Sequence, residues 1–117
     1  MTGLVSVYAT FADEAEARRI GRAMVERRLA ACVNVLAPSV SIYRFEGEVA
    51  EAVESPALFK TSTNLAEPLT AAIAEAHSYR VPAIVAWPVA HSPAACAAWV
   101  AWVAWVADDT GPGHPTR

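Results

Sequence analysis

Residues 31–61, ACVNVLAPSVSIYRFEGEVAEAVESPALFKT, hold two extended runs joined by a short turn. Ala31 to Val35 and Ser39 to Phe45 read as one long strand bent at Pro38, with Val40 and Ile42 opposed to Ser41 and Tyr43. Glu46-Gly47-Glu48 supplies the turn. The return run, Val49 to Thr61, carries a second strand around Leu58, Phe59 and Thr61 that Pro56 interrupts, so a hairpin with a bulged or frayed return is expected.

Upstream, Leu4 to Phe11 alternates Val5, Val7, Ala9 and Phe11 with Leu4, Ser6, Tyr8 and Thr10, which predicts a first strand with two semi-apolar faces. Asp13 followed by Glu16 has the spacing of an N-cap and its reciprocal partner, and Ala17, Ile20 and Met24 then recur at helical spacing, giving a helix to about Arg28. Downstream, Asn64 and Glu67 form a second capping pair, with Pro68 in the first turn and Leu69, Ala72, Ile73 and Ala76 as the buried stripe of a helix ending near His77. Ala83 to Val89 is almost continuously apolar, as in a strand covered on both faces. Ser92 and Pro93 open a last helix, Ala94 to Ala107.

The order is therefore βαββαβ plus a C-terminal helix. Right-handed crossovers applied to two split βαβ units give an α+β, ferredoxin-like fold: a four-stranded antiparallel sheet with both long helices on one face. Residues 1–109 make one domain and 110–117 a disordered tail. Two helices cover only one side of the sheet, yet the first and last strands are apolar toward both, so another copy of the chain is expected on the open side.

The 117 residues are 55% hydrophobic and 18% charged, a folded rather than a disordered composition. Nine Lys and Arg against 12 Asp and Glu leave net charge −3, with no basic field for nucleic acid or an anionic membrane. Prolines and polar residues break the apolar C-terminal stretch, so no membrane span is expected. Cys32 and Cys96 lack disulfide spacing and read as buried thiols, and the N-terminal residues lack the pattern of a signal peptide, which points to the cytoplasm.

No phosphate cradle, nucleophile elbow or zincin motif occurs, so an enzyme is not expected. Glu46, Glu48, Glu51 and Glu54 read as a solvated hairpin edge. His77 could offer imidazole to copper or zinc, or serve as a cation at a helix C-terminus. His91 and Cys96 fall on either side of a helix start and are not placed to converge. Trp99, Trp102 and Trp105 recur every three residues, so they spiral around a helix that is apolar all round and should be buried.

The segments Arg28 to Asn34, Ser41 to Gly47, Phe59-Lys60-Thr61, His77 to Pro82, and Pro88-Val89 followed by Trp99 together resemble the CutA family, named for divalent cation tolerance. The resemblance runs from Val5 to Trp102. It implies a ferredoxin-like fold, a tight homotrimer, a cytoplasmic location, and a role in tolerance of copper or other divalent cations. Phe45, Glu48, Ser78 and Ala83 stand where the family usually has Trp, Lys, Pro and Glu. The copper site described for some members uses a Cys, a His and a Glu; here Ala9, His77 and Ala83 stand at those positions, so the resemblance assigns the metal role to His77 alone. Weak binding of Cu(II) or another divalent cation is expected. A second reading is a trimeric, PII-like signalling or scaffold module binding a small molecule or partner protein at inter-subunit clefts. Tyr43, Glu46, Lys60 and Tyr79, from strand ends and the segment after the second helix, are the polar residues expected there.

Overall fold

Asp13 opens the first helix as its spacing requires. Its side chain accepts from the Glu16 N–H at 2.8 Å while its own φ of −156° keeps it extended. Strand β1 (Leu4–Phe11) precedes this cap and helix α1 (Glu14–Glu26) follows it. The helix ends in a Schellman arrangement: Leu29 N–H bonds to Met24 O at 3.0 Å and Arg28 N–H to Val25 O at 3.0 Å, with Arg28 left-handed at φ 60°. Gly21 lets α1 approach β2, since a Cβ there would lie 3.0 Å from Val33 Cγ1. The computed structural model describes residues 2–105, with side chains through 102; the tail expected over 110–117 lies outside them.

The long bent strand expected over 31–45 is two strands, β2 (Cys32–Val35) and β3 (Ser39–Phe45). Their common partner, β4 (Glu48–Ser62), runs unbroken for 15 residues, contrary to the expected bulged return. Pro56 does not interrupt it because its carbonyl accepts from Leu36 N–H at 2.9 Å. The side on which a proline lacks a donor therefore faces the 36–38 gap, where the ladder passes from β2 to β3. Glu46 (φ 51°) and Gly47 (φ 82°) form the two-residue turn, both left-handed as a type I′ hairpin demands.

After a 3-10 turn at Thr63–Leu65 comes helix α2 (Ala66–Ala76). Asn64 is not its cap; Asn64 Oδ1 accepts instead from Ser62 Oγ at 2.6 Å, and the helix begins from the 3-10 turn. Strand β5 (Ile84–Pro88) and helix α3 (Ala94–Trp105) complete the described chain. The sheet order is β2-β4-β1-β5, antiparallel throughout, with β3 extending β4 beyond β2. This is the ferredoxin-like order, with a projecting two-stranded arm.

The core lies between the sheet and the two long helices. Val7, Ala9 and Phe11 of β1 and Ala57 and Phe59 of β4 meet Ala17, Ile20 and Met24 of α1 and Leu69 and Ile73 of α2. Helix α3 packs a second, smaller cluster, in which Val100 meets Leu4 and Ala31, with Trp99 and Trp102 partly buried at its margin. Two expectations need correction in the isolated chain. Strand β5 is an edge with Val85 56% and Trp87 44% exposed, because among the described residues only β1 flanks it. Helix α3 is not buried all round: it presents one face to its own chain, so Cys96 is exposed and Trp99 and Trp102 are only half-buried, while the Trp105 side chain lies outside the described residues; Cys32, on β2, is half-buried.

Candidate functional site

The residues singled out in the sequence fall at three places, the first two near enough for the Tyr79 and Tyr43 phenols to interact electrostatically. His77 and Tyr79 follow the end of α2, where β1 stops and α1 begins. Tyr43 lies on the arm, with its Cα opposite Ala50, and Glu46 is in the turn at the tip. Lys60 pairs with Cys32 on one side and Ser6 on the other, six residues along β4 from Glu54, or about 20 Å at strand rise. Glu46 and Lys60 thus lie toward opposite ends of one strand, and a single chain does not bring the four cleft residues together. A groove of about 580 Å³ between α1, β2 and α3, lined among others by Arg18, Arg22, Val33 and Trp99, contains none of them.

Around His77 the polar groups are closely paired. His77 is 8% exposed, with its ring stacked on Phe11 at 4.9 Å and tilted against Tyr79 at 4.7 Å. Tyr79 N–H donates to Nδ1 at 3.0 Å, so that nitrogen keeps its lone pair, and Nε2 bears the hydrogen donated to Thr10 O at 2.7 Å. Both ring nitrogens are occupied.

Glu16, read in the sequence only as a capping partner, is the second centre. It is 5% exposed; Oε1 accepts from Ala12 N–H at 3.1 Å and Oε2 from Ser78 N–H at 3.0 Å. Burial pushes its carboxyl up, but hydrogen bonds from the Ser78 side chain and from the Ala12 and Ser78 backbones outweigh that and hold it below the ordinary value. Sequence spacing signals the cap but not Ser78, which lies 62 positions away. Tyr79 OH donates to Glu54 Oε2 at 2.8 Å; burial first, and then this carboxylate, push the phenol up to about 12. Among the described residues no three His, Cys, Asp or Glu side chains are grouped to hold a metal ion, and no helix is long and apolar enough to cross a membrane.

A ferredoxin-like sheet, an apolar arm left exposed among the described residues, and a buried polar cluster occupied by internal hydrogen bonds define the class of domain. Residues 5–103 match the family described as CutA1 divalent ion tolerance protein, and the chain belongs to that family. The divalent-cation tolerance protein CutA of Thermus thermophilus is 46% identical over 84 residues, covering 72% of this chain and 82% of that one. Mouse protein CutA is 38% identical over 84 residues, covering 72% of this chain, which spans about half (48%) of that longer relative. The crystal structure of CutA1 from Ehrlichia chaffeensis superposes with a TM-score of 0.85 at 26% identity, covering 91% of this chain and 99% of that one. The family takes its name from tolerance of divalent ions rather than from a reaction.

Proposed function

We propose that the chain works as a cytoplasmic homotrimer in divalent-cation tolerance and catalyses no reaction. The observation that carries this reading is the arm. Its seven rungs leave Val40 61%, Ile42 67% and Val53 66% exposed on one face and Tyr43 44% and Phe45 61% on the other. Exposed apolar surface on both sides of a ribbon calls for cover on both sides, and a second copy is the simplest source. The arm of one copy would meet a different surface on the next, such as the β5 edge with Val85 and Trp87. Contacts of that kind give rings where the rotation closes and filaments where it does not, rather than two-fold pairs, and a closed ring of three is what the family resemblance implies.

The inter-subunit, PII-like reading draws support from the same geometry. Tyr43, Glu46, Lys60 and Tyr79 are spread along one chain, so a cleft containing them would need more than one copy. Light scattering after gel filtration tests the assembly: about three times 12.4 kDa is expected, and a monomeric mass at micromolar concentration would refute it. For function, cells lacking their own family member are challenged with copper. The native chain should restore growth and a non-assembling Ile42→Asp variant should not; equal rescue by both would remove the link between assembly and tolerance.

A further inference from the structure

Three consecutive residues after α2 are each tied to a different element. His77 Nε2 donates to Thr10 O on β1 at 2.7 Å, Ser78 N–H donates to Glu16 Oε2 on α1 at 3.0 Å, and Tyr79 OH donates to Glu54 Oε2 on β4 at 2.8 Å. The first two anchors lie on core elements. The third does not: Glu54 pairs with Ser39 in the first rung of the arm. We infer that residues 77–79 form a latch that fixes the base of the β3–β4 arm to the core, and that His77 is the pin of this latch rather than a metal ligand.

The metal that the family name suggests does not fit the groups present here. A metal needs a lone pair on an imidazole nitrogen. The lone pair on Nδ1 is taken by Tyr79 N–H, and Nε2 carries the hydrogen that satisfies the Thr10 carbonyl. Ligation at either nitrogen would strand a backbone group beside a ring that is 8% exposed. Nor are supporting ligands available at the other two positions of the copper site implied by resemblance: Ala9 is 0% exposed within the core, and Ala83 carries only a methyl group. The Phe11 ring stacked on His77, with Tyr79 tilted against it, instead gives the latch a packed body, so that the Tyr79 hydroxyl meets Glu54 from a fixed direction. The consequence for assembly rests on the proposed function, because the arm carries the surface that a second copy would cover.

Two measurements test this. Nitrogen-15 spectra of the histidine rings of the native chain, recorded during titration with Zn(II), should show His77 protonated at Nε2 only and unmoved at one equivalent of metal. A His77 shift that saturates at one Zn(II) per subunit would overturn the assignment. Tyr79→Phe removes a single hydroxyl and leaves the ring stack in place. Amide exchange at residues 48–54 should then speed up about tenfold, equivalent to about 1.4 kcal/mol, while β1 amides keep their protection. Unchanged exchange in the arm would overturn the latch. A monomeric mass together with faster arm exchange would refute the assembly reading and leave the latch standing.

Discussion

Replacing Glu16 by Gln keeps the shape of the side chain and removes one acceptor oxygen. In the native chain the two carboxylate oxygens hold two backbone N–H groups, those of Ala12 and Ser78. A glutamine amide can accept from one of them only, and its NH₂ then confronts the other N–H. A stranded backbone donor in a site 5% exposed costs about 1–3 kcal/mol. The surviving bond loses its charge assistance, about 1 kcal/mol more. Together Glu16→Gln should destabilise by about 2–4 kcal/mol at neutral pH. The effect has a pH signature. Because the folded carboxyl is held below its ordinary value of 4.5, its stabilisation is complete above that value and is lost as pH falls through the folded one. The gap between native and variant should therefore be widest at pH 7 and narrow below about pH 4.5. Denaturant unfolding followed by tryptophan fluorescence, at matched protein concentration since assembly contributes to stability, measures both. Coincident midpoints at pH 7, or a gap that stays constant on acidification, would refute the reasoning.

At the hairpin tip, Glu46→Asn should raise stability by about 0.5–1 kcal/mol in thermal melts, because Asn tolerates the left-handed φ of 51° that Glu adopts there. Gly47→Ala should cost about 1–2 kcal/mol on backbone grounds alone, since among the described residues nothing beyond its chain neighbours lies within 4 Å of an added Cβ at φ 82°. Trp99 is half-buried in the single chain, so Trp99→Ala should cost about 2–3 kcal/mol in a dilute monomeric state and more when assembled, a difference read from the concentration dependence of the midpoint. Val40→Asp on the exposed arm should leave far-UV circular dichroism unchanged while lowering the mass seen by light scattering; an unchanged mass would mean the arm is not the contact.

Local chemistry carried most of the architecture. Asp13 with Glu16 and Glu46 with Gly47 are short-range signals whose partners lie within a few positions, and both appear where their spacing sets them. Readings that depended on distant partners fared differently. Pro56 reads as a strand breaker until the gap at 36–38 is seen beside it. Asn64 has the composition of a cap, but Ser62 reaches it first. The apolar run at β5 indicates burial without saying that a single chain leaves this strand at an edge. At the candidate site, neither the pairing of Glu16 with Ser78 nor that of Tyr79 with Glu54 leaves a periodic trace, because each joins elements folded together from 62 and 25 positions apart.

Strand β4 belongs to three ladders, with β1, β2 and β3, and the handover from β2 to β3 at Pro56 separates what is fixed from what can vary in length. On the core side, the register with β1 and β2 is locked by buried side chains such as Ala57 and Phe59. Beyond Glu54, each rung of the arm adds one residue to each strand and leaves the core pairing unchanged. Side chains alternate with a period of two, so adding or deleting a single rung would turn the tip over, whereas two rungs at a time would preserve which face each residue presents. The arm is thus a ruler graduated in steps of about 7 Å, set by strand rise. Its reach can be reset by paired insertions or deletions without redesigning the domain that holds it.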